Sequence, residues 1–559
     1  MKARLKHFTG GAMLALFVLS FTAERLHAQA EHVPAAHPVY QFLNRQHVQG
    51  NVEGYSRAWL PMELKQVRTF LLELRKRGDL LSDTERRILA RYEDEFFAGA
   101  LDAPPPRSIA QASIPGMAAA VFSDSTTHFY AWRSATGEST MFMEALASLE
   151  YRTMLSDQGN TNVTLGQIGG RFRGTLGGLL GYSLTATNGM ASGNRSLALS
   201  DPQLRKNFNF GALDKEYFDL TEAVLSMSWD WGSASLGKET RFSGTGRSNQ
   251  LLLSNNAAPF DAVHVDARFG AVRFSFLHGA LLSEFTRLPE GKPYYDAKYV
   301  SMHRLEADLL DLLRLGVFEA VIYSGREMDL AYLNPVNFYK SAEHAGGDRD
   351  NPMLGFELST LGIDGLELYG SWLIDDVDFS LLGKSWWGNK FILQAGTTLS
   401  SLLPECDITV EYSRIDPYVY THRYMGNQYT HDRAALGFEL APNSDELYFG
   451  LDYWAGADLR LGAALQLRRH GANEVDSEGA IIVNHGGDIY HSMIDGRDSD
   501  IAPFLAGVRD NSTLLTVTGV WEPWRDIFVK GTYRFRDRDS DVSGKRSDHY
   551  LSLLLDVRL

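Results

Sequence analysis

Cysteine is almost missing from this chain: Cys406 is the only one in 559 residues. No internal disulfide can form, so an exported protein of this composition has to be held by packing and backbone closure. Nothing nearby in sequence marks Cys406 as an activated thiol, and it reads as a small strand residue. Long apolar runs are missing too. Beyond residue 30, stretches such as 118–122 or 481–483 end after a few residues, far short of the roughly 20 that a transmembrane helix needs. That excludes a helical inner-membrane protein. Positive charge is in deficit, with 54 Lys and Arg against 69 Asp and Glu and a net charge of −15. A phosphate-neutralising surface needs the opposite balance, so a nucleic-acid partner is excluded. Proline is scarce at 18, whereas there are 51 Gly, 30 Phe, 24 Tyr and 10 Trp. That mixture suits many strands and tight turns better than helices.

The first thirty residues follow the order of a secretory signal peptide. Lys2, Arg4 and Lys6 precede a short apolar run over 12–21, Glu24 and Arg25 close it, and Ala28-Gln29-Ala30 gives a small-x-small cleavage site. The mature chain is expected to begin near Glu31. No cysteine follows that site, so no lipoprotein anchor is expected, and periplasm, outer membrane or medium are the destinations left.

Residues 31–97 read as helical. A short helix is expected over Tyr40 to Gln46 with Phe42 and Leu43 packing. Pro61 opens a second, in which Leu64, Val67, Leu71 and Leu74 recur at helical spacing until Gly78. Ser82 and Glu85 form a capping-box pattern ahead of Ile88, Leu89, Tyr92 and Phe96. So few helices bury too little core to stand alone, so they are expected to dock on something larger. Residues 98–117, with Pro104-Pro105-Pro106, read as a linker.

From 118 to 559 period-2 alternation dominates. Ile527, Val529, Gly531, Tyr533 and Phe535 alternate with Phe528, Lys530, Thr532, Arg534 and Arg536; Leu551, Leu553 and Leu555 alternate with Ser552, Leu554 and Asp556. A soluble sandwich alternates as well. The segments are however about 9 to 11 residues long, the span of a tilted membrane strand. Short turns such as 455–458 alternate with long polar excursions such as 468–511 and 537–547, as in an outer-membrane barrel. A polar lumen face also accounts for a mean hydropathy of −0.21. About 440 residues at roughly 24 per strand and loop give about 16 to 20 strands. Trp229, Trp231, Trp372, Trp454, Trp521 and Trp524 are expected to form interfacial girdles.

Catalytic and metal-binding motifs are not evident. Residues 174–181 (GTLGGLLG) lack the Lys-Ser/Thr of a phosphate loop and read as a glycine-rich strand or turn. Asp537, Asp539 and Asp541 are spaced like the start of a calcium loop, but Val542 stands where the turn glycine belongs. His422, His431, His470, His485 and His491 form no HExxH pair, and no G-x-S-x-G elbow is present. No cofactor is expected. The loops are more suggestive: Trp386, Trp387 and Asn389 in one, Tyr420, His422, Arg423 and Tyr424 in another, with Asn427, Gln428 and Tyr429 following. Aromatic faces beside amide and hydroxyl partners suit sugar rings, although such residues also serve as belts or loop cores. Arg423, Arg468 and Arg469 are candidates for a cationic patch facing an acidic polymer.

The middle of the chain resembles a known family. Residues 246–260 (GRSNQLLLSNNAAPF), 331–339 (AYLNPVNFY), 347–351 (GDRDN) and 368–376 (LYGSWLIDD) are similar, in order and spacing, to the Wzi family of capsule-assembly proteins. The resemblance implies an outer-membrane barrel of about 18 strands with a periplasmic helical region at its base. It implies a non-enzymatic role in assembling or retaining capsular polysaccharide or exopolysaccharide at the cell surface. Asn334-Pro335 would be a turn, and Asp348, Arg349 and Asp350 a charge network. The alternative is a porin-like diffusion channel, since a barrel of this size can hold an aqueous lumen. A monomeric barrel in outer-membrane lipid is expected.

Overall fold

The computed structural model describes residues 30–100, 103–201, 204, 208–210, 216–283, 286–287, 293–294 and 296–559. The expected signal peptide, apart from Ala30, lies outside them.

Eighteen antiparallel strands close into a barrel. In chain order they are β1 (Thr140–Ser156), β2 (Gly159–Leu176), β3 (Leu180–Gly193), β4 (Glu216–Trp229), β5 (Gly232–Glu239) and β6 (Phe260–Phe269). Then come β7 (Val272–Leu282), β8 (Ala297–Leu309), β9 (Leu313–Ser324), β10 (Asn351–Thr360), β11 (Leu366–Asp376) and β12 (Lys390–Leu403). The last six are β13 (Cys406–Ile415), β14 (Ser444–Trp454), β15 (Leu459–Ala472), β16 (Val508–Trp524), β17 (Ile527–Ser540) and β18 (Gly544–Arg558). Strand β18 pairs back onto β1 with Leu555 opposite Leu149, which leaves no free edge. One end is turned by short connections such as 230–231, 270–271 and 404–405, and the other carries 240–259, 325–350, 416–443 and 473–507. By that asymmetry the short-turn end is periplasmic and the long-loop end extracellular.

The alternation expected for the last strands holds: Leu551, Leu553 and Leu555 are exposed on the outer wall, while Ser552 turns inward and donates to Glu150 at 2.5 Å. Ile168, at the middle of β2, is 71% exposed on that wall. Its neighbour Gln167 faces the lumen and accepts from Thr187 at 3.2 Å. Ile168→Arg is therefore expected to cost about 2–4 kcal/mol of folding stability in vesicles, whereas Gln167→Arg should leave the denaturant midpoint near that of the unsubstituted protein. Equal effects at the two positions would contradict this assignment of faces.

Several strands exceed the expected 9 to 11 residues, with 17 in β1, 18 in β2 and 17 in β16. The expected loop over 537–547 is accordingly a hairpin turned at 541–543. Its charged residues pair across strands, Arg536 with Asp548 at 2.7 Å and Arg538 with Asp510. Arg509 pairs with Asp541 at 2.8 Å. Charge therefore fails to mark where a strand ends once the barrel projects beyond the bilayer.

The N-terminal region forms three helices, α1 (Val39–Val48), α2 (Leu64–Lys76) and α3 (Asp83–Phe96). Ser82 and Glu85 make both capping-box bonds at the start of α3. Pro61 does not open α2, which starts three residues later. The backbone around Pro61 is taken up in two short sheets, Trp59–Leu60 with Phe242–Ser243 and Met62–Glu63 with His32–Val33. Between the helices and the first strands, residues 109–111 and Ile114–Val121 form short helical turns within and just beyond the segment read as a linker.

The helices plug the periplasmic mouth. Their shared core of Val39, Leu43, Val67, Leu71 and Leu89 includes Trp454 from the barrel wall, over which Arg45 lies at 5.4 Å. Trp454 points inward and is not a girdle residue, unlike the exposed Trp231, Trp372, Trp521 and Trp524. Ion pairs tie plug to wall: Glu31 to Arg173 at 3.1 Å and Glu95 to Arg525 at 2.6 Å. Burial opposes ionisation of Glu95, but His37 and Arg525 hold its carboxyl well below the usual carboxylate range.

Strand β8 crosses the layers of the lumen in order. From the extracellular end its inward residues are Lys298, Val300, Met302, Arg304, Glu306 and Asp308. Val300 and Met302 belong to an apolar layer in which the 240–259 and 416–443 loops fold into the barrel, bringing Leu251, Leu252, Tyr420, Tyr429 and Phe438. Arg304 and Glu306 belong to a charged layer beneath it, and Glu306 accepts from Ser56 of the plug at 3.1 Å. Beside β6–β13 the lumen is filled by protein from the plug to the extracellular loops, whereas on β17 the inward Lys530 and Arg534 remain exposed.

Candidate functional site

The extracellular face is built where the long loops meet. Loop 377–389 is held against 473–507 by Trp387 N donating to Asp500 O at 3.0 Å and Ala502 N to Ser385 O at 2.8 Å. Trp386 bridges to Ile501 through the backbone. Its ring covers Gly388, where any Cβ would collide with it, and stands 5.6 Å from the Trp387 ring. Asn389 spends its side-chain oxygen on the loop itself, accepting from Asp378 N at 2.7 Å. Trp387 packs edge-on against Tyr418 and carries the Lys390 ammonium 5.9 Å over its ring.

His422, Arg423 and Tyr424 form a second cluster. His422 Nδ1 accepts from Tyr424 N at 3.1 Å. Burial, with Lys390 nearby, pushes its imidazole down to about 4, so it is a neutral hydrogen-bonding ring at pH 7. Arg423 lies 5.3 Å over Tyr424, which is 50% exposed, and donates to Asp348 O. Lys390 acts on both clusters. It was missed in the sequence because it sits one residue past the loop, on a strand.

Tyr420 does not join this surface. It is fully buried, stacked on Tyr429 at 5.0 Å, with its hydroxyl donating to Leu251 O at 2.7 Å. Its backbone φ of +66° turns the ring into the lumen core, where its neighbours are apolar. It is a strut of the apolar layer and is not offered to a ligand. The cationic patch also shrinks, because Arg468 pairs with Glu446 at 2.6 Å and Arg469 with Asp445 at 2.5 Å.

The family-like segments occupy structural places. Residues 246–260 descend the lumen, where Arg247 donates to Asn44 of α1 at 2.8 Å and pairs with Glu367. Asn334-Pro335 is a turn, closed by Asn337 N donating to Asn334 O at 3.2 Å. Asp350 accepts from Arg326 and from Tyr332 at 2.7 Å. Among the described residues, Glu343, His344 and Asp348 bring their ligand atoms within 4.8 Å of one another. Burial and the neighbouring Asp348 push Glu343 up to about 7, and Lys340 at 3.4 Å already supplies its counter-charge.

Comparison with known proteins agrees with this architecture. The fold is similar to that of Wzi, an outer-membrane protein involved in group 1 capsule assembly in Escherichia coli and a carbohydrate-binding β-barrel. Identity is 11%, with 94% of this chain and 99% of that chain covered and a TM-score of 0.55. OprD of Pseudomonas aeruginosa aligns at 10% identity over 75% of this chain and 95% of that one, with a TM-score of 0.43. OccK8 (OprE) of the same organism aligns at 8% over 75% and 98%, with a TM-score of 0.44. No curated protein matches the sequence. The family model for capsule assembly protein Wzi matches residues 136–549, nearly the whole barrel, and this outer-membrane chain belongs to that family.

Proposed function

We propose that this barrel retains capsular polysaccharide or exopolysaccharide at the cell surface, binding it without catalysis on the face formed by Trp386, Trp387, His422, Arg423 and Tyr424. The observation that carries the reading is an extracellular surface of aromatic rings and polar edges, set above loops that fold into the lumen beside β6–β13. Stacking on such rings and hydrogen bonds to hydroxyls are how proteins hold sugars in water. The family and the carbohydrate-binding barrel from Escherichia coli support it. Arg423, with its side chain 57% exposed, supplies local positive charge on a protein of net charge −15, which favours a polymer carrying acidic groups, whereas Lys390 is buried beside Asp375 at 3.9 Å. The protein works as a monomeric barrel in outer-membrane lipid, with residues 31–97 as its periplasmic plug and a signal peptide over 1–30 directing export.

Binding of fluorescently labelled surface polysaccharide to the purified barrel tests this reading. Trp387→Ala with Tyr424→Ala is expected to weaken binding at least about tenfold, or about 1.4 kcal/mol, with thermal stability unchanged. Binding unaffected by both substitutions would remove this face from consideration.

A further inference from the structure

The outer wall has one stretch that lipid alone cannot cover. On β9, Leu313, Leu315 and Val317 face outward and are exposed, but Glu319, Val321 and Tyr323 on the same face are buried. Their neighbours in register, His303, Ser301 and Tyr299, lead on to His278. A carboxylate, two imidazoles and a hydroxyl thus occupy a face that elsewhere meets hydrocarbon, where polar groups are costly. The chain itself covers them. The 325–350 connection folds back down the outside of the barrel, and Tyr332 and Tyr339 bury Val321 and Tyr323 in one cluster. Glu319 pairs with His303 at 3.0 Å and accepts from Tyr339 N at 3.1 Å. Ser301 lies 2.7 Å from His278 and donates to Tyr332 O at 2.8 Å.

Over residues 328–338 the other side of this connection is mostly apolar. Leu330 is 80% exposed, Val336 81% and Phe338 53%, and the wall residues Leu305, Leu315, Val317 and Phe356 are exposed as well. A tilted strand needs about 9–11 residues to cross the bilayer's apolar belt. Strand β9 has 12, so the belt must extend over its covered half. We propose that residues 328–339 of this connection lie in the outer leaflet, between barrel wall and lipid, with Leu330, Val336 and Phe338 set among the acyl chains and the exposed Glu327, His344, Asp348 and Arg349 outside it. The segment's local bonding fits that position, because irregular backbone near lipid must satisfy itself. Asp329 caps Ala331 N at 3.0 Å, and Asn337 Nδ2 donates to Ala331 O at 2.9 Å. Asp348, bonded to Arg423, marks the end that returns to the extracellular face.

The test places a bimane label at Leu330→Cys, Val336→Cys or Phe338→Cys in the full chain with Cys406→Ser, reconstituted in phosphatidylcholine vesicles. Spin labels are carried either on the acyl chains or in solution. The proposal expects acyl-chain quenching at these sites to match a Leu315→Cys wall control and to be severalfold larger than at Glu478→Cys in an extracellular loop. Quenching like that of Glu478→Cys would overturn it. Quenching from neither side would overturn it as well, since protein rather than lipid would then cover the patch. Heat-modifiable gel migration confirms that each labelled barrel is folded, and three independent positions guard against failure of one.

Discussion

Arg304→Met is expected to cost about 3–5 kcal/mol of stability, the loss that follows from stripping one partner out of a buried ion network. The Arg304 side chain is 3% exposed and pairs with Glu306 at 3.0 Å and with Glu357. Among the described residues, the further donors to Glu357 are Ser371 and the Thr245 amide, at 3.2 and 3.3 Å. Without the guanidinium two carboxylates remain in a lumen closed above by the apolar layer and below by the helices. The loss reaches the plug, because Glu306 also accepts from Ser56. Arg304→Lys should fall between, since an ammonium keeps the charge but cannot form the planar fork. Denaturant unfolding in vesicles measures both. A change below about 1 kcal/mol for Arg304→Met would mean that water reaches these carboxylates and that the lumen is looser than described.

In planar bilayers the intact protein is expected to show no steady conductance, and neither is a variant lacking residues 31–97. The second half of that expectation is the sharper one. Removing the helices unplugs the periplasmic mouth, but Leu251, Leu252, Tyr420, Tyr429 and Phe438 still pack the extracellular half beside β6–β13, Leu197 and Ala198 pack inside β2–β4, and apolar constrictions of packed side chains oppose the passage of ions. The loops that form the first of these are pinned by Tyr429 donating to Leu252 O at 2.6 Å and Ser254 to Gly437 O at 2.7 Å. Large steady steps from the intact chain would favour the diffusion-channel reading. Steps from the shortened chain alone would show that the helices are the only seal.

Much of the architecture was legible because it rests on local chemistry. The capping box at Ser82, the stop after α2 and the tight turn within 174–181 follow from residue types at fixed spacing, with Gly177 and Gly178 at positive φ in that turn. The two-faced alternation of β17 and β18 was equally clear. Alternation reports that a strand has two environments, but not what fills each. Trp454 and Trp521 look alike in sequence, yet one meets the helical plug and the other lipid. Tyr420 and Tyr424 stand four residues apart in one aromatic run, and only the loop's path into the lumen separates strut from surface. The same limit hid the outer-wall position of 325–350, since Glu319 faces outward and is satisfied only by groups distant in sequence. The resemblance over 246–260 identified the family without revealing that this stretch forms the lumen filling.

The most direct test of retention is co-sedimentation of surface polysaccharide with outer membranes from cells carrying the intact gene, a deletion, or the Trp387→Ala, Tyr424→Ala double variant. The account predicts that membrane-associated polymer falls sharply in the deletion and in the double variant, at equal barrel abundance and with polymer recovered in the medium. Equal retention in all three strains would contradict it.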